Sequence, residues 1–461
     1  MKKVITKSIK VFALLLVLYL LIGFLVPPMF QKGPIALDSA EKGGAEQVLC
    51  IDDNREALLW RLRLIDGAEQ ELVLSTFDFR VDNSGKDMLA ALYHAAKRGV
   101  EVRILVDGIA GGRYLRRNEL VGALASVPNV QIKLYNPIDL LTPWKLNYRL
   151  HDKYLIADGK RYLLGGRNTN DLFLGEYKEE KDRNIDREIL VCAEGENSST
   201  EALRAYFAEM WELPCNEAIG GSRKDRETAL QTLQTRYAAL RETYPEAYLP
   251  SERETERENE MIKAESVVLL SDPISPKNKA PVLWQRLSDI MERGERILIE
   301  TPYIICNDGM YETLTDLCAG GRQLQIMTNA AESGANPFGC TDYLNEKHNI
   351  LATGSEIFEV SCGQSLHTKT ILVDDRISIV GSYNFDIRST YLDTELMLVI
   401  DSPALNQSLR EDAAVRAAQS RHTLPDGRES KGPSFRGEMP LYKKVGYFVL
   451  RLFIGLFRHL L

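Results

Sequence analysis

A histidine and a lysine two positions apart occur twice in this chain, each time with the same followers. The first copy opens "HDKYLIADGKRYLLGGRN" at His151, and the second opens "HTKTILVDDRISIVGSYN" at His367, 216 positions later. His151, Lys153, Asp158, Gly165, Gly166 and Asn168 match His367, Lys369, Asp374, Gly381, Ser382 and Asn384. At roughly 5% usage per residue type, six matches at a given start are on the order of one in a hundred million. The pattern is a repeated chemical unit.

In an extended chain alternate side chains share a face, so His151 and Lys153 point one way and Asp152 the other. Asp158-Gly159 reads as a hairpin turn. The returning strand brings Gly165, Gly166 and Asn168 back beside the His and Lys, where small residues let backbone approach a ligand. Two such units face to face would line one pocket with two imidazoles, two ammonium groups and two amides. That set suits an oxyanion with a bond to break. Lysine and asparagine stabilise negative oxygens, and a neutral imidazole can attack phosphorus. A protonated imidazole can supply the leaving oxygen with its proton, because His titrates near neutral pH. Neither a metal nor another cofactor is called for, since carboxylate clusters and the usual zinc spacings are missing. Asp158 and Asp374 stand where a turn favours Asp, which speaks for a structural role at both.

The elements that must position these groups also repeat. In the first half "QELVLSTFDF" predicts a strand, and Met88, Leu89, Leu92, Ala95 and Ala96 mark one face of a helix. Gly99 punctuates, and "VEVRILVDG" predicts the next strand. In the second half "RILIETPYII" is the strand, Met310, Leu314, Leu317 and Cys318 mark the helix, Gly320-Gly321 punctuates, and "QLQIMTN" is the strand. Alternating strands and helices predict an α/β fold with a largely parallel core sheet, and a repeat on this scale predicts two similar domains. These span 45–213 and 265–432, and 214–264 is an amphipathic helical linker with Leu230, Leu233, Tyr237 and Leu240 as its apolar stripe. The charge run "SERETERENE" reads as a solvated face or linker.

Both termini differ from the body. Lys2, Lys3, Lys7 and Lys10 precede an uncharged run, Val11 to Val26, which Pro27-Pro28 ends. This predicts an uncleaved anchor over 1–30, with the basic end cytoplasmic and the rest outside. A cleaved signal peptide has the same order, but no small-x-small site follows directly. Near the C-terminus, over 439–461, Lys444, Arg451 and Arg458 recur every seven positions. Val445, Phe448, Val449, Leu452, Phe453 and Leu456 fall on another helical face. Two readings stay open, a helix in the lipid headgroup region and a helix docked on its own domain.

The 461 residues carry a net charge of -8, which argues against a nucleic-acid partner. The seven cysteines form no CxxC pair. Cys50, Cys192 and Cys306 lie in or beside apolar runs and read as small buried hydrophobes.

At the repeated residues the sequence resembles the phospholipase D superfamily, whose HKD motif is this pattern twice per active site. It resembles most the bacterial cardiolipin synthases of the shorter C type. The supporting stretches are "LGGRNTND", "LLSDP", "TPYI", "LHTKTILVDD" and "VGSYNFDIRSTYLDTELMLVID". The resemblance implies two phospholipase D-like domains around one shared site and catalytic motif residues His151, Lys153, Asp158, His367, Lys369 and Asp374. One His would form a phosphohistidine and the other would act as general acid and base. Asn168, Asn384, Gly166 and Ser382 would hold the phosphate. Glu188 ("DREIL") and Glu395 ("DTELM") match downstream acidic positions that support a His, with a salt bridge as their other reading. The activity implied is transfer of a phosphatidyl group between phosphatidylglycerol molecules at a membrane, with phosphodiester hydrolysis as the alternative.

Overall fold

The computed structural model of the chain describes residues 2–37, 43–193, 198–221, 225–248 and 260–461. Most of the charge run "SERETERENE", and Lys42, lie outside the described residues. In the first half, strand Glu71–Thr76 is followed by helix Asn83–Lys97 and strand Glu101–Asp107. In the second, Arg296–Glu300 is followed by Asp308–Ala319 and Gln323–Asn329. Each helix starts under a side-chain cap, Asp82 accepting from the Gly85 amide and Asn307 from that of Met310. After each helix the chain turns through a glycine at positive φ, Gly99 at 99° and Gly321 at 87°. The stripes expected to face the core do so: Met88, Leu89, Leu92, Met310, Leu314 and Leu317 are buried. Full burial of one such side chain stabilises the fold by about 1.5–3 kcal/mol. Of the three cysteines read as core residues, Cys306 is buried, while Cys50 and Cys192 are only partly covered.

Among the described residues one 17-stranded sheet runs through both halves. The halves meet where Gly44–Ile51 pairs antiparallel with Ile262–Ser271. The sheet is mixed, and its parallel part is narrower than the sequence suggests. Parallel pairing joins Glu71–Thr76, Glu101–Asp107 and Val130–Tyr135 in the first half. Arg296–Glu300, Gln323–Asn329 and Glu356–Val360 are their counterparts. The two motif hairpins extend this part antiparallel, Tyr154–Ala157 against Glu71–Thr76 and Thr370–Val373 against Arg296–Glu300. Within each hairpin the short turn enforces antiparallel pairing, Tyr154–Ala157 with Arg161–Gly165 and Thr370–Val373 with Ile377–Gly381.

The helix Arg226–Thr243 is not a free spacer. It buries Leu233, Tyr237 and Leu240 against the first half, and Arg236 pairs with the buried Asp87. The N-terminal helix, Lys2–Leu25, ends before Pro27-Pro28, and Thr6–Met29 is long and apolar enough to cross a membrane. The C-terminal helix, Leu441–Arg451, and the turn Ile454–Leu460 rest on the second half through Tyr447 and Ile454.

Candidate active site

Each motif histidine sits on an extended segment just before its hairpin, and each segment is tied to the opposite half. The His367 amide donates to the Ile185 carbonyl at 2.7 Å, continuing a short parallel pairing of Ser365–Leu366 with Asn184–Ile185. The His151 amide donates to the Thr394 hydroxyl at 3.2 Å, beside a parallel bridge from Leu150 to Thr394. The backbone of each half thus fixes the histidine of the other.

The side chains cross in the same way. His151 donates from Nδ1 to Glu395 at 2.8 Å, and His367 donates from Nδ1 to Asp186 at 2.7 Å. An imidazole anchored through Nδ1 keeps Nε2 for chemistry. An aromatic edge steadies each ring, Phe77 against His151 at 5.0 Å and Phe173 against His367 at 4.9 Å between centroids. Lys153 and Lys369 curl back so that each ammonium donates to the carbonyl of its own motif histidine. Asn168 accepts from the Asp78 amide, and Asn384 donates to the Tyr303 hydroxyl at 3.1 Å. The two histidines and two lysines lie near enough to act on one another's charge.

Burial sets the protonation of these groups. Desolvation and the Lys153 charge push His151 well below its usual range, and His367 and Lys369 of the other half add to this. Desolvation and Lys369 bring His367 down to about 4, against the pull of Asp186. Desolvation also lowers Lys153 to about 8 and Lys369 to about 7. The two carboxylates part company. Burial pushes Glu395 up to about 8, although Lys153 and the hydroxyls of Ser382 and Ser389 oppose it. Asp186 is burdened by the same desolvation, but His367, Lys369 and Arg167 outweigh it and hold the carboxyl low. Both rings are therefore held neutral, and a bound anion would draw protons back onto the cations.

The family described as "Cardiolipin synthase, PLD-like domain" matches residues 62–211 and 287–414, more than half of the chain and one stretch in each half. The chain belongs to this phospholipase D-like family. Cardiolipin synthase C of Escherichia coli is 28% identical over 77% of this chain and 82% of its own length. Cardiolipin synthase of Clostridium perfringens is 27% identical over 75% of this chain and 65% of its own length. The crystal structure of a phosphatidylserine synthase from Haemophilus influenzae aligns over 91% of this chain and 97% of its own, with a TM-score of 0.64 at 16% identity, and supports the fold. The chain is accordingly an enzyme, a phosphatidyltransferase of the phospholipase D superfamily.

Within this phospholipase D-like site three expected residues stand elsewhere. Asp158 and Asp374 lie at the far turns of the two hairpins, at φ of 52° and 49°. Asp158 accepts from the amides of Glu69, Gln70 and Glu71, and Asp374 from those of Glu295 and Arg296. They close the sheet edge and do not reach the pocket, because the strand between Lys153 and Asp158 spans about 16 Å. Glu188 supports no histidine. It is clamped by Arg61 through bonds of 2.6 and 2.7 Å, the salt-bridge reading.

The residue missed is Asp186. Both halves carry the same D-x-E triplet, Asp186-Arg187-Glu188 and Asp393-Thr394-Glu395, and that repeat was a readable signal. The halves use it in opposite order. In the first, Asp186 takes the histidine and Glu188 takes Arg61. In the second, Glu395 takes the histidine and Asp393 takes Arg388 at 2.9 Å. The motif position [GS] follows the swap. A Cβ on Gly166 would lie 2.3 Å from Asp186 Oδ1, whereas the Ser382 hydroxyl donates to Glu395 Oε2 at 2.5 Å. Gly166 and Ser382 thus shape the carboxylates behind the rings.

Proposed function

We propose that this enzyme makes cardiolipin at a membrane from two molecules of phosphatidylglycerol, with a phosphatidyl group held on His151 between the two steps. The supporting observation is the crossed pairing of His151 with Glu395 and His367 with Asp186, which gives one pocket two imidazoles in different electrostatic settings. His151 faces a carboxyl raised by burial and stays neutral, as a nucleophile must. His367 faces a carboxylate held ionised, which stabilises the imidazolium a general acid requires.

In the first step Nε2 of His151 attacks phosphorus, the P–N bond forms, and the P–O bond to glycerol breaks. The departing oxygen takes the proton from His367. In the second step the terminal hydroxyl of another phosphatidylglycerol gives its proton to His367 and attacks phosphorus, and the P–N bond breaks. Lys153, Lys369, Asn168 and Asn384 hold the non-bridging oxygens throughout. Lys2–Leu25 anchors the enzyme. Lys2, Lys3, Lys7 and Lys10 before the apolar run favour a cytoplasmic N-terminus with both domains outside.

Water at about 55 M competes with the second lipid unless the site excludes it. The test is purified protein in phosphatidylglycerol bilayers with products resolved by mass spectrometry. Cardiolipin and glycerol in equal amounts support the proposal. Phosphatidic acid as the main product would replace it with a hydrolase.

A further inference from the structure

Two separate segments of the chain close around the last turns of the N-terminal helix, and both turn large apolar side chains outward. The first is the loop before His151. Its Leu141 carbonyl accepts from the Tyr19 hydroxyl at 2.5 Å, Asn147 donates to the Phe24 carbonyl at 2.7 Å, and Pro143 packs on Gly23. The second is the chain end, where the His459 ring donates to the Leu25 carbonyl at 2.9 Å.

Besides the buried Tyr447 and Ile454, polar side chains hold the C-terminal segment. Lys443 donates to the carbonyls of Glu332 and Gly334, Arg451 to Asn345, and Arg458 to Asp342. The apolar face is left outside, with Tyr442, Phe448, Leu452 and Leu456 each at least 65% exposed. An amphipathic helix ordinarily turns its apolar stripe to the core, and here most of that stripe faces out while Tyr447 is buried. In the loop, Leu141 is 79% exposed beside the exposed Ile138 and Leu140.

We infer that loop 138–144 and the outer face of 441–457 together form a second membrane-contacting surface that dips into the bilayer around the end of the N-terminal helix. The inference rests on the reading of that helix as an anchor. Tyr19 precedes Leu25 by six residues, about 9 Å along the axis. A chain bonded to Tyr19 therefore sits below the level at which the helix leaves the lipid.

The same two segments meet at Arg388, which donates to the carbonyls of Asn147 and Leu460 and to Asp393. Asp393 is two residues from Glu395, the partner of His151. The surface therefore holds the pocket at lipid level, where a phosphodiester headgroup can enter without leaving the bilayer.

Trp144 is a built-in reporter, since Trp60, Trp211 and Trp284 are buried. The full chain is reconstituted in phosphatidylglycerol vesicles carrying bromine at defined acyl depths, and flotation after alkaline carbonate establishes anchoring. Shallow bromines are expected to quench at least half of the Trp144 emission, and Trp144→Phe to abolish the quenchable part. A chain that floats with Trp144 unquenched overturns the inference and leaves the anchor intact; a chain that does not float overturns both. In a second arm, Phe448→Arg with Leu452→Glu is expected to lower turnover on vesicles at least fivefold, with turnover on monomeric short-chain phosphatidylglycerol unchanged. Unchanged turnover on vesicles overturns the part assigned to the C-terminal helix. So does a detergent-stable dimer that the double variant dissociates, because the face would then belong to a second copy.

Discussion

Asp186 belongs to the first half of the chain and grips His367 of the second half at 2.7 Å, while Glu188, two residues on, turns away to Arg61. Two carboxylates two residues apart therefore have different duties. Asp186→Asn cannot hold the Nδ1–H tautomer or stabilise the imidazolium, and kcat is expected to fall by roughly 10²–10⁴. Glu188→Gln breaks a buried ion pair and is expected to cost about 3–5 kcal/mol of stability, with kcat per folded molecule little changed. Steady-state kinetics beside thermal melts separate the two. A larger kcat loss in Glu188→Gln than in Asp186→Asn would refute the assignment.

The division of labour between the histidines is open to a leaving-group test. If His367 only protonates the departing oxygen, a phosphatidyl ester of p-nitrophenol removes the need for it, because nitrophenolate leaves without a proton. His367→Ala should then release a burst of about one nitrophenolate per enzyme. His151→Ala should give no burst, lacking the nucleophile. Rapid-quench spectrophotometry reads both, and the reverse pattern would exchange the two roles. Both variants should lose at least 10³-fold on phosphatidylglycerol.

Much of this was legible before any coordinates. The repeat of His and Lys is legible because chemistry fixes those residue types and the hairpin fixes their spacing, and the four groups do lie together. Turn chemistry rightly marked Asp158 and Asp374, whose carboxylates collect backbone amides at the sheet edge. The crossing of carboxylates between halves was not legible. Asp186 and Glu188 are both carboxylates two apart, and only the packing of one half on the other decides which meets His367. The outcome for the C-terminal helix was likewise hidden. A basic stripe beside an apolar one does not say which is held, and here Arg451 and Arg458 bind the protein while Phe448 and Leu452 face out.

The depressed His367 has a consequence for stability. Its ring takes a proton at about 4 in the folded chain, against an ordinary value of 6.5, through burial first and Lys369 second. Between those two values the unfolded chain binds more protons, so stability falls as pH drops through this window. Asp186, held low, stays charged across it and does not reverse the sign. The shift limits the effect to about 3 kcal/mol. His367→Gln lacks the titrating group and should lose less stability than the natural protein between pH 7 and pH 4.5. Thermal midpoints at both pH values in detergent check this, and an equal fall in the two proteins would sink it.

The last prediction concerns a substitution suggested by the motif repeat, since serine at 382 stands where the first motif has Gly166. The two positions back different carboxylates. Glu395 is one methylene longer than Asp186 and passes Ser382 at hydrogen-bonding distance, 2.5 Å from the hydroxyl. Asp186 instead fills the space that a side chain at 166 would need, its Oδ1 only 2.3 Å from a Cβ there. Gly166→Ser must therefore displace the carboxylate that orients His367. Overpacking of this kind costs about 1–3 kcal/mol, and the tilted imidazole should lower kcat at least tenfold. Ser382→Gly makes no clash and removes only one of two hydroxyls on Glu395, Ser389 still donating at 2.6 Å. Its kcat should fall less than tenfold. Pairing Gly166→Ser with Asp186→Glu copies the second half into the first and should recover part of the lost activity. If Gly166→Ser alone turns over normally, the fit between glycine and Asp186 does not govern His367.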